Sequence, residues 1–135
     1  MSGVWVWIEQ FEGQMKAISQ EMLGAGRTAA AALDQPLTAV VLGHAVGELA
    51  AQAFDLGADQ VLGADDAGLN QFRVEAYGPL LAGMARDRAP HAVIFGASAR
   101  GRDLAAWVAA ELDAGLVADG IALSIADGTL KVTRP

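Results

Sequence analysis

Short apolar runs alternate with longer stretches of helical period along most of the chain, and this alternation restricts the fold more than any other feature. The first run, Val4–Ile8, is continuously apolar, which is typical of a strand buried on both faces. Three similar runs follow at residues 37–42, 60–62 and 92–95. Strands that alternate with helices form right-handed crossovers, which build a mostly parallel sheet with helices on both faces. The sequence therefore predicts a doubly wound, three-layer α/β fold.

The segments between these runs carry the apolar spacing of amphipathic helices. The first helix is predicted from Met15 to Leu33, before Asp34-Gln35-Pro36, because a residue that precedes proline is pushed out of helical geometry. Further helices are predicted over residues 47–56, 69–88 and 103–112. Gly78-Pro79 interrupts the third predicted helix, and proline removes a backbone donor there. We expect a kink or two abutting helices at that point.

The C-terminal part of the chain predicts antiparallel pairing. Residues 116–117 and 121–125 read as strands, and Asp127-Gly128 follows them. Asp-Gly favours the positive φ angles of a two-residue hairpin turn. Residues 130–132 are therefore expected to pair antiparallel with the preceding strand and to close the sheet with a hairpin.

Composition narrows the class of protein. A chain of 135 residues has the length of one domain, so we expect residues 1–135 to form a single domain. A balance of 9 basic against 16 acidic residues gives a net charge of −7, which disfavours general nucleic-acid binding. The chain has no cysteine, which excludes a thiolate metal site and a cysteine nucleophile. We find neither an apolar run of membrane-helix length nor a signal-peptide pattern, and we expect a cytoplasmic protein without membrane insertion.

The loop after the fourth apolar run is the most informative segment for chemistry. It leads into a helix, and a helix N-terminus offers free N–H groups and a partial positive charge to an anion. A P-loop is excluded, because Arg102-Asp103 stands where lysine and a hydroxyl residue are needed. The structural alternative is that the glycines permit a tight turn and that Asp103 caps the helix. The candidate cofactor-binding residues, as an anion or nucleotide loop, are Gly96, Ser98, Arg100, Gly101 and Arg102.

Other polar residues near the carboxyl ends of the strands do not combine into a reactive site. Glu9, His44 and Asp65-Asp66 follow the first three strands, at the edge where open α/β sheets bind ligands. His44 is a lone histidine, and His91 precedes its strand and therefore belongs to the opposite edge. The acidic pair lacks the third carboxylate of a calcium loop, and Ser98 has no histidine at nearby spacing. We predict no catalytic residue and no metal ligand.

Several segments have the order and spacing of a known family. The first strand ends in Ile8-Glu9, Gly57-Ala58-Asp59 precedes the third strand, and the most specific block is Val93–Ala105. Gly115–Asp119 and Val132–Pro135 continue the match. Together these segments resemble the N-terminal domain of the electron transfer flavoprotein alpha subunit. The chain departs from the family at Gln10, where histidine is common, and at Gly78-Pro79, where the helix is expected to be smoother.

The resemblance implies an adenine-nucleotide alpha hydrolase-like sheet of strand order 3-2-1-4-5. In the family, a second domain binds FAD, and the N-terminal domain packs against the beta subunit and helps to support the flavin domain. The complete heterodimer carries electrons from dehydrogenases to an acceptor. The beta subunit binds AMP near the loop that corresponds to residues 96–103, whereas the alpha subunit is not expected to hold AMP. The resemblance therefore implies that this chain alone binds no FAD and has no catalytic activity.

A second hypothesis of a different class comes from the same loop. Gly96 and Gly101 with Arg100 and Arg102 also suggest a stand-alone adenine-nucleotide-binding module of the universal-stress-protein type, on the same broad fold. Such modules usually carry two further glycines and a Ser or Thr on this loop, and the chain does not match them. Binding of AMP or ATP that Arg102→Ala abolishes would favour this hypothesis.

Overall fold

The structure is a computed structural model, and it describes residues 3–112, 115–116 and 122–124. The strands in these residues are β1 (Val4–Trp7), β2 (Gln10–Phe11), β3 (Gln14–Met15), β4 (Leu37–Gly43), β5 (Gln60–Asp65), β6 (Ala92–Ile94), β7 (Gly115–Leu116) and β8 (Ala122–Ser124). Six of them form one sheet in the order β5-β4-β1-β6-β8-β7. The remaining two, β2 and β3, form a separate antiparallel hairpin.

The larger sheet is mostly parallel. β1 pairs in parallel with β4 on one side and with β6 on the other, and β5 joins β4 in parallel. The predicted α/β class is therefore confirmed. Across the sheet, the first four predicted strands lie in the spatial order 3-2-1-4. β8 lies between β6 and β7 and is antiparallel to both. The predicted turn at Asp127-Gly128 and the strand at residues 130–132 lie outside the described residues.

Helices cover both faces of this sheet. The α-helices in the described residues are α1 (Ala17–Leu33), α2 (Gly47–Asp55), α3 (Val74–Arg88) and α4 (Ala99–Leu112). α1 and α2 pack on the face that receives Val4 and Val6, whereas α3 and α4 pack on the face that receives Trp5 and Trp7. These four side chains of β1 are at most 2% exposed. Full burial of a large apolar side chain contributes roughly 1.5–3 kcal/mol, so β1 is the centre of both hydrophobic layers.

The third helical region differs from its prediction. A short 3-10 helix occupies Ala67–Leu69, and α3 begins only at Val74. α3 then continues through Gly78 and Pro79, so the expectation of two abutting helices at that point is wrong. Gly78 has a packing role, because a Cβ at this position would lie 2.6 Å from Trp107 Cδ2 of α4. The glycine therefore lets α3 and α4 approach each other closely.

The entry to α1 also differs from its prediction. The chain first forms the β2–β3 hairpin, and α1 begins at Ala17 rather than at Met15. The turn residues Glu12 and Gly13 both have positive φ, 50° and 81°. Two successive residues with positive φ match the twist of a two-residue hairpin. The hairpin lies beyond the carboxyl end of β1 and forms part of the wall of the site described next.

Candidate functional site

A cleft of about 390 Å³ opens at the carboxyl end of β1. The helices that follow β1 and β6 are α1 and α4, and they cover opposite faces of the sheet. The winding of the chain therefore reverses between β1 and β6, which is where open α/β sheets bind ligands. The end of β1, the β2–β3 hairpin, the segment 70–77 and Arg100 of α4 line the cleft. Its volume lies in the range of small-molecule sites.

Ser98 begins the helix that follows β6. The backbone N–H of Gly101 donates to Ser98 Oγ at 3.0 Å, and the N–H of Arg102 donates to the Ser98 carbonyl at 2.9 Å. These are the bonds of an N-cap residue. The expectation that Asp103 caps this helix is wrong, because α4 starts at Ala99 and Asp103 lies within it. The two glycines of the segment predict a longer loop, so the sequence does not reveal the first turn of α4.

The two loop glycines are required by close packing. A Cβ on Gly101 would lie 2.0 Å from the carbonyl oxygen of Gly96, and a Cβ on Gly96 would lie 2.9 Å from Ile18 Cγ1. Neither distance leaves room for a side chain without movement of the neighbouring atoms. The pair lets the first turn of α4 lie directly against the end of β6, which supports the structural alternative for these glycines.

Glu9 is the partner that sequence reasoning did not assign to this loop. The Ser98 hydroxyl donates to Glu9 Oε1 at 2.5 Å, across 89 residues of sequence. Glu9 is only 6% exposed, and its backbone N–H donates to Ser19 Oγ at 2.7 Å. The backbone N–H of Lys16 donates to the Glu9 carbonyl at 2.9 Å. The carboxylate is therefore held beside the N-terminus of α4, where the helix dipole favours a negative charge.

The two arginines of the predicted loop separate in the structure. The Arg100 guanidinium lies over the ring of Phe72, with Cζ 5.6 Å from the ring centroid, and Arg100 lines the cleft. Arg102 is exposed, and its Nε donates to the carbonyl of Ala97 at 3.3 Å. The structure therefore places Arg100 in the lining of the cleft, binds Ser98 to Glu9, which also lines the cleft, and leaves Arg102 outside it. Occupation of the loop by an anion or a nucleotide stays a prediction.

Aromatic side chains pack together beneath one side of the cleft, and Trp7 and Tyr77 are buried there. The ring centroids of Trp7 and Phe72 are 5.8 Å apart, and those of Phe72 and Tyr77 are 4.9 Å apart in an edge-on arrangement. The Tyr77 hydroxyl donates to the carbonyl of Leu69 at 2.7 Å. Burial raises the pKa of Tyr77, and the nearby positive charge of Arg100 acts in the opposite direction. Trp7 Nε1 is buried without an acceptor among the residues that the structure describes.

The acidic pair after β5 has a structural role. The Asp65 carboxylate accepts hydrogen bonds from the N–H groups of Ala45 and Val46, at 2.8 and 3.1 Å. These bonds lower the pKa of Asp65, and His44, whose Nδ1 lies 3.6 Å from Asp65 Oδ1, contributes less. Asp66 accepts from the N–H of Gly68 at 2.8 Å. Within residues 3–112 and the two short strands after them, no group of three metal-ligating side chains converges.

Comparison with known proteins adds an independent finding. The family model described as the electron transfer flavoprotein domain matches residues 4–135. The electron transfer flavoprotein subunit alpha of Clostridium acetobutylicum is 38% identical over 135 residues, which are 98% of this chain and 40% of the relative. The corresponding protein of Bacillus subtilis is 34% identical over 124 residues, 92% of this chain and 38% of the relative. Protein FixB of Azorhizobium caulinodans is 43% identical over 136 residues, which cover 98% of this chain and 37% of the relative.

The chain spans about two fifths of the length of these curated relatives. No helix in the described part of the chain is long and apolar enough to cross a membrane. The matches do not favour a stand-alone module of the universal-stress-protein type, because they run through almost the entire chain and carry the name of another family. The prediction made from the ordered segments is confirmed: this chain belongs to the electron transfer flavoprotein domain family.

Proposed function

We propose that this chain is the N-terminal, subunit-docking domain of an electron transfer flavoprotein alpha-type subunit. The observation that carries the proposal is the family match over residues 4–135, together with relatives that are named as alpha subunits. In this proposal the whole protein carries electrons through FAD from dehydrogenases to an acceptor. The FAD is held outside these 135 residues, AMP belongs to the partner beta subunit, and the chain itself catalyses no reaction.

The polar groups at the carboxyl edge support a structural role for the domain. Glu9 bonds to Ser98, and Asp65 bonds to the N-terminal N–H groups before α2. A general acid or base has to reach a reacting group with a free position, whereas these carboxylates hold the first turns of two helices. The arrangement supports a rigid framework that presents a surface to another subunit.

Two large apolar side chains in the described residues are exposed and are the first positions to test for docking. Phe11 is 54% exposed and Phe54 is 50% exposed. Phe11 lies on the β2–β3 hairpin beyond the carboxyl end of β1, whereas Phe54 lies near the end of α2, toward the opposite edge of the sheet. Aromatic side chains are enriched at protein interfaces. A substitution at Phe11 or Phe54 therefore tests whether the corresponding edge of the sheet takes part in docking.

The experiment is co-purification of the tagged chain with the electron transfer flavoprotein beta subunit of the same organism. We expect an equimolar complex on size exclusion, and no flavin absorbance from the chain alone after incubation with FAD. Phe11→Ser or Phe54→Ser is expected to weaken the complex by about tenfold or more, and Ala51→Ser, on the exposed face of α2, serves as the control. A folded chain that does not associate with the beta subunit, or that alone takes up stoichiometric FAD, would contradict the proposal.

A further inference from the structure

The strand β5 lies at one end of the large sheet, and only one of its sides pairs with a strand of the described residues. That side pairs with β4 in an unbroken parallel register, from Thr38 opposite Gln60 to Gly43 opposite Asp65. The backbone N–H and C=O groups on the other side of β5 therefore form an edge to which a further strand can bond.

Alternate N–H groups of β5 point away from the sheet. The N–H of Asp66, just after the strand, donates to the carbonyl of Gly43 at 2.9 Å, and Gly43 lies opposite Asp65. The same offset of one residue along the parallel register bonds the even-numbered N–H groups of β5 to β4. The N–H groups of the odd-numbered residues, Val61, Gly63 and Asp65, therefore point outward.

Gly63, in the middle of β5, is a glycine that no contact within the described residues requires. It is exposed, its φ is not positive, and a Cβ at this position would be in ordinary contact, 3.7 Å from the carbonyl oxygen of Val41. Glycine weakens the interior of a strand, and it often marks a place where another backbone approaches closely. Gly63 leaves its outward main-chain groups uncovered, which supports the approach of another strand to this edge.

The residues of β5 do not carry the features that usually protect an exposed edge from pairing. Edge strands are commonly protected by lysine, proline or a bulge, whereas residues 60–65 contain no lysine, arginine or proline and the pairing with β4 has no bulge. The one charged side chain of the strand, Asp65, accepts hydrogen bonds from Ala45 and Val46. Val61 and Leu62 are only half-buried, so an added strand could cover apolar surface on both faces of β5.

The charge around β5 selects the kind of strand that fits. Helix α2 packs against β4 and β5, and residues 44–72, which include α2 and β5, contain no lysine or arginine. The acidic residues of this segment are all exposed, and they are Glu48, Asp55, Asp59, Asp65 and Asp66. Pairing of two copies of the chain through β5 would bring like charges together, which is unfavourable. The edge therefore favours a strand of opposite charge.

We propose that β5 accepts an extended, basic segment of another protein as an added strand of the sheet. The main chain of the segment bonds to the outward groups of Val61, Gly63 and Asp65, as in other cases of β-strand addition. Its apolar side chains cover the half-buried side chains of β5, and its lysine or arginine side chains meet the acidic residues of the segment 44–72. This binding is separate from the docking of a beta subunit, and either can hold without the other.

An NMR titration of the isotope-labelled 135-residue chain with a synthetic peptide tests this proposal. The probe is a peptide of alternating lysine and valine, about seven residues long, and the control peptide has glutamate in place of lysine. We expect the lysine peptide to bind with a Kd below about 1 mM and to shift the amide resonances of Val61, Gly63 and Asp65 most. The glutamate peptide should bind at least about tenfold more weakly.

Two substitutions of Gly63 form a matched pair. Gly63→Pro removes an outward N–H and no bond to β4, and proline is tolerated on an edge strand in this position. It should weaken binding of the lysine peptide by about tenfold. Gly63→Ala keeps the N–H and should change the binding by less than about threefold. Thermal melting of both variants checks that the fold is retained, and the amide shifts of the unmodified chain test the proposal if Gly63→Pro does not fold.

The proposal is overturned if the lysine peptide does not bind, if the largest amide shifts lie outside β5, or if folded Gly63→Pro and Gly63→Ala bind the peptide equally well. Equal binding of the glutamate peptide would overturn the choice of a basic partner. Self-association of the chain that Gly63→Pro abolishes would do the same, because it would identify a second copy as the occupant of this edge.

Discussion

The helices α2 and α4 both begin at the carboxyl edge of the sheet, and a carboxylate from a neighbouring strand end meets each N-terminus. At α2, Asp65 accepts directly from two backbone N–H groups, at 2.8 and 3.1 Å. At α4, Glu9 acts through Ser98, which bonds to the carboxylate at 2.5 Å and to Gly101 N at 3.0 Å. In both places a carboxylate stabilises the N-terminus of a helix. Asp65 bonds directly to backbone N–H groups, whereas Glu9 acts through the hydroxyl group of Ser98.

The two arrangements differ chiefly in burial. The Asp65 side chain is 50% exposed, whereas Glu9 is 6% exposed. Water replaces a lost partner of an exposed carboxylate, but it reaches a buried one poorly, so removing a partner leaves the buried group unsatisfied. The site at α4 is therefore the more sensitive of the two to the removal of a hydrogen-bond partner.

The largest expected effect is that of Gly101→Ala at α4. The added Cβ would lie 2.0 Å from the Gly96 carbonyl oxygen, so α4 has to move away from β6. We expect a loss of about 3 kcal/mol or more in the free energy of unfolding, measured by urea denaturation. Gly83→Ala in α3 is the control, since no atom lies within 4 Å of its added Cβ. It should stabilise the protein by about 0.5–1 kcal/mol, and equal effects of the two substitutions would contradict the packing argument.

A smaller effect is expected when a polar partner is removed from each helix start. Ser98→Ala deletes the N-cap and leaves the buried Glu9 carboxylate without its hydroxyl donor, which should cost about 1–3 kcal/mol. Asp65→Ala removes an exposed carboxylate and should lower the free energy of unfolding by less. Urea denaturation of both variants at neutral pH gives the order. A larger loss in the free energy of unfolding for Asp65→Ala than for Ser98→Ala would contradict the claim that the buried site at α4 is the more sensitive one.

The smallest effect concerns the acid dependence of stability. Hydrogen bonds from Ala45 and Val46 lower the pKa of Asp65 in the folded protein. Because the pKa of Asp65 is lower in the folded than in the unfolded protein, the contribution of Asp65 to the free energy of unfolding is complete above its unfolded pKa of about 4. This contribution is lost as the pH falls through the pKa of the folded protein. The Tm difference between the wild type and Asp65→Asn should therefore shrink between about pH 5 and about pH 2. A difference that stays constant over this range would contradict the assignment.

The fold was largely predictable because the alternation of β-rich and helical segments is local information. The continuous apolar run at Val4–Ile8 indicated a strand buried on both faces, and β1 lies at the centre of the sheet. The details that failed depend on contacts or on turn geometry. The positive φ at Glu12 and Gly13 created a hairpin before α1, and Gly78-Pro79 stayed within one helix.

The candidate site was predictable only in part. Ser98 and Arg100 are predicted from the loop, and in the structure Arg100 lines the cleft while Ser98 is bonded to Glu9. The bond between Glu9 and Ser98 joins residues 89 positions apart, so no local pattern could reveal it. Phe72 was likewise missed, because nothing in the sequence near it indicates that Arg100 lies over its ring.

A double-mutant cycle on Glu9 and Ser98 tests most directly the claim that Glu9 is bound to the start of α4. Glu9→Ala, Ser98→Ala and the double variant are compared by urea denaturation at neutral pH. A hydrogen bond to a buried charged group predicts a coupling free energy of about 1.5–3 kcal/mol. Additive losses, within about 0.5 kcal/mol, would show that the carboxylate does not hold this helix and would contradict the account.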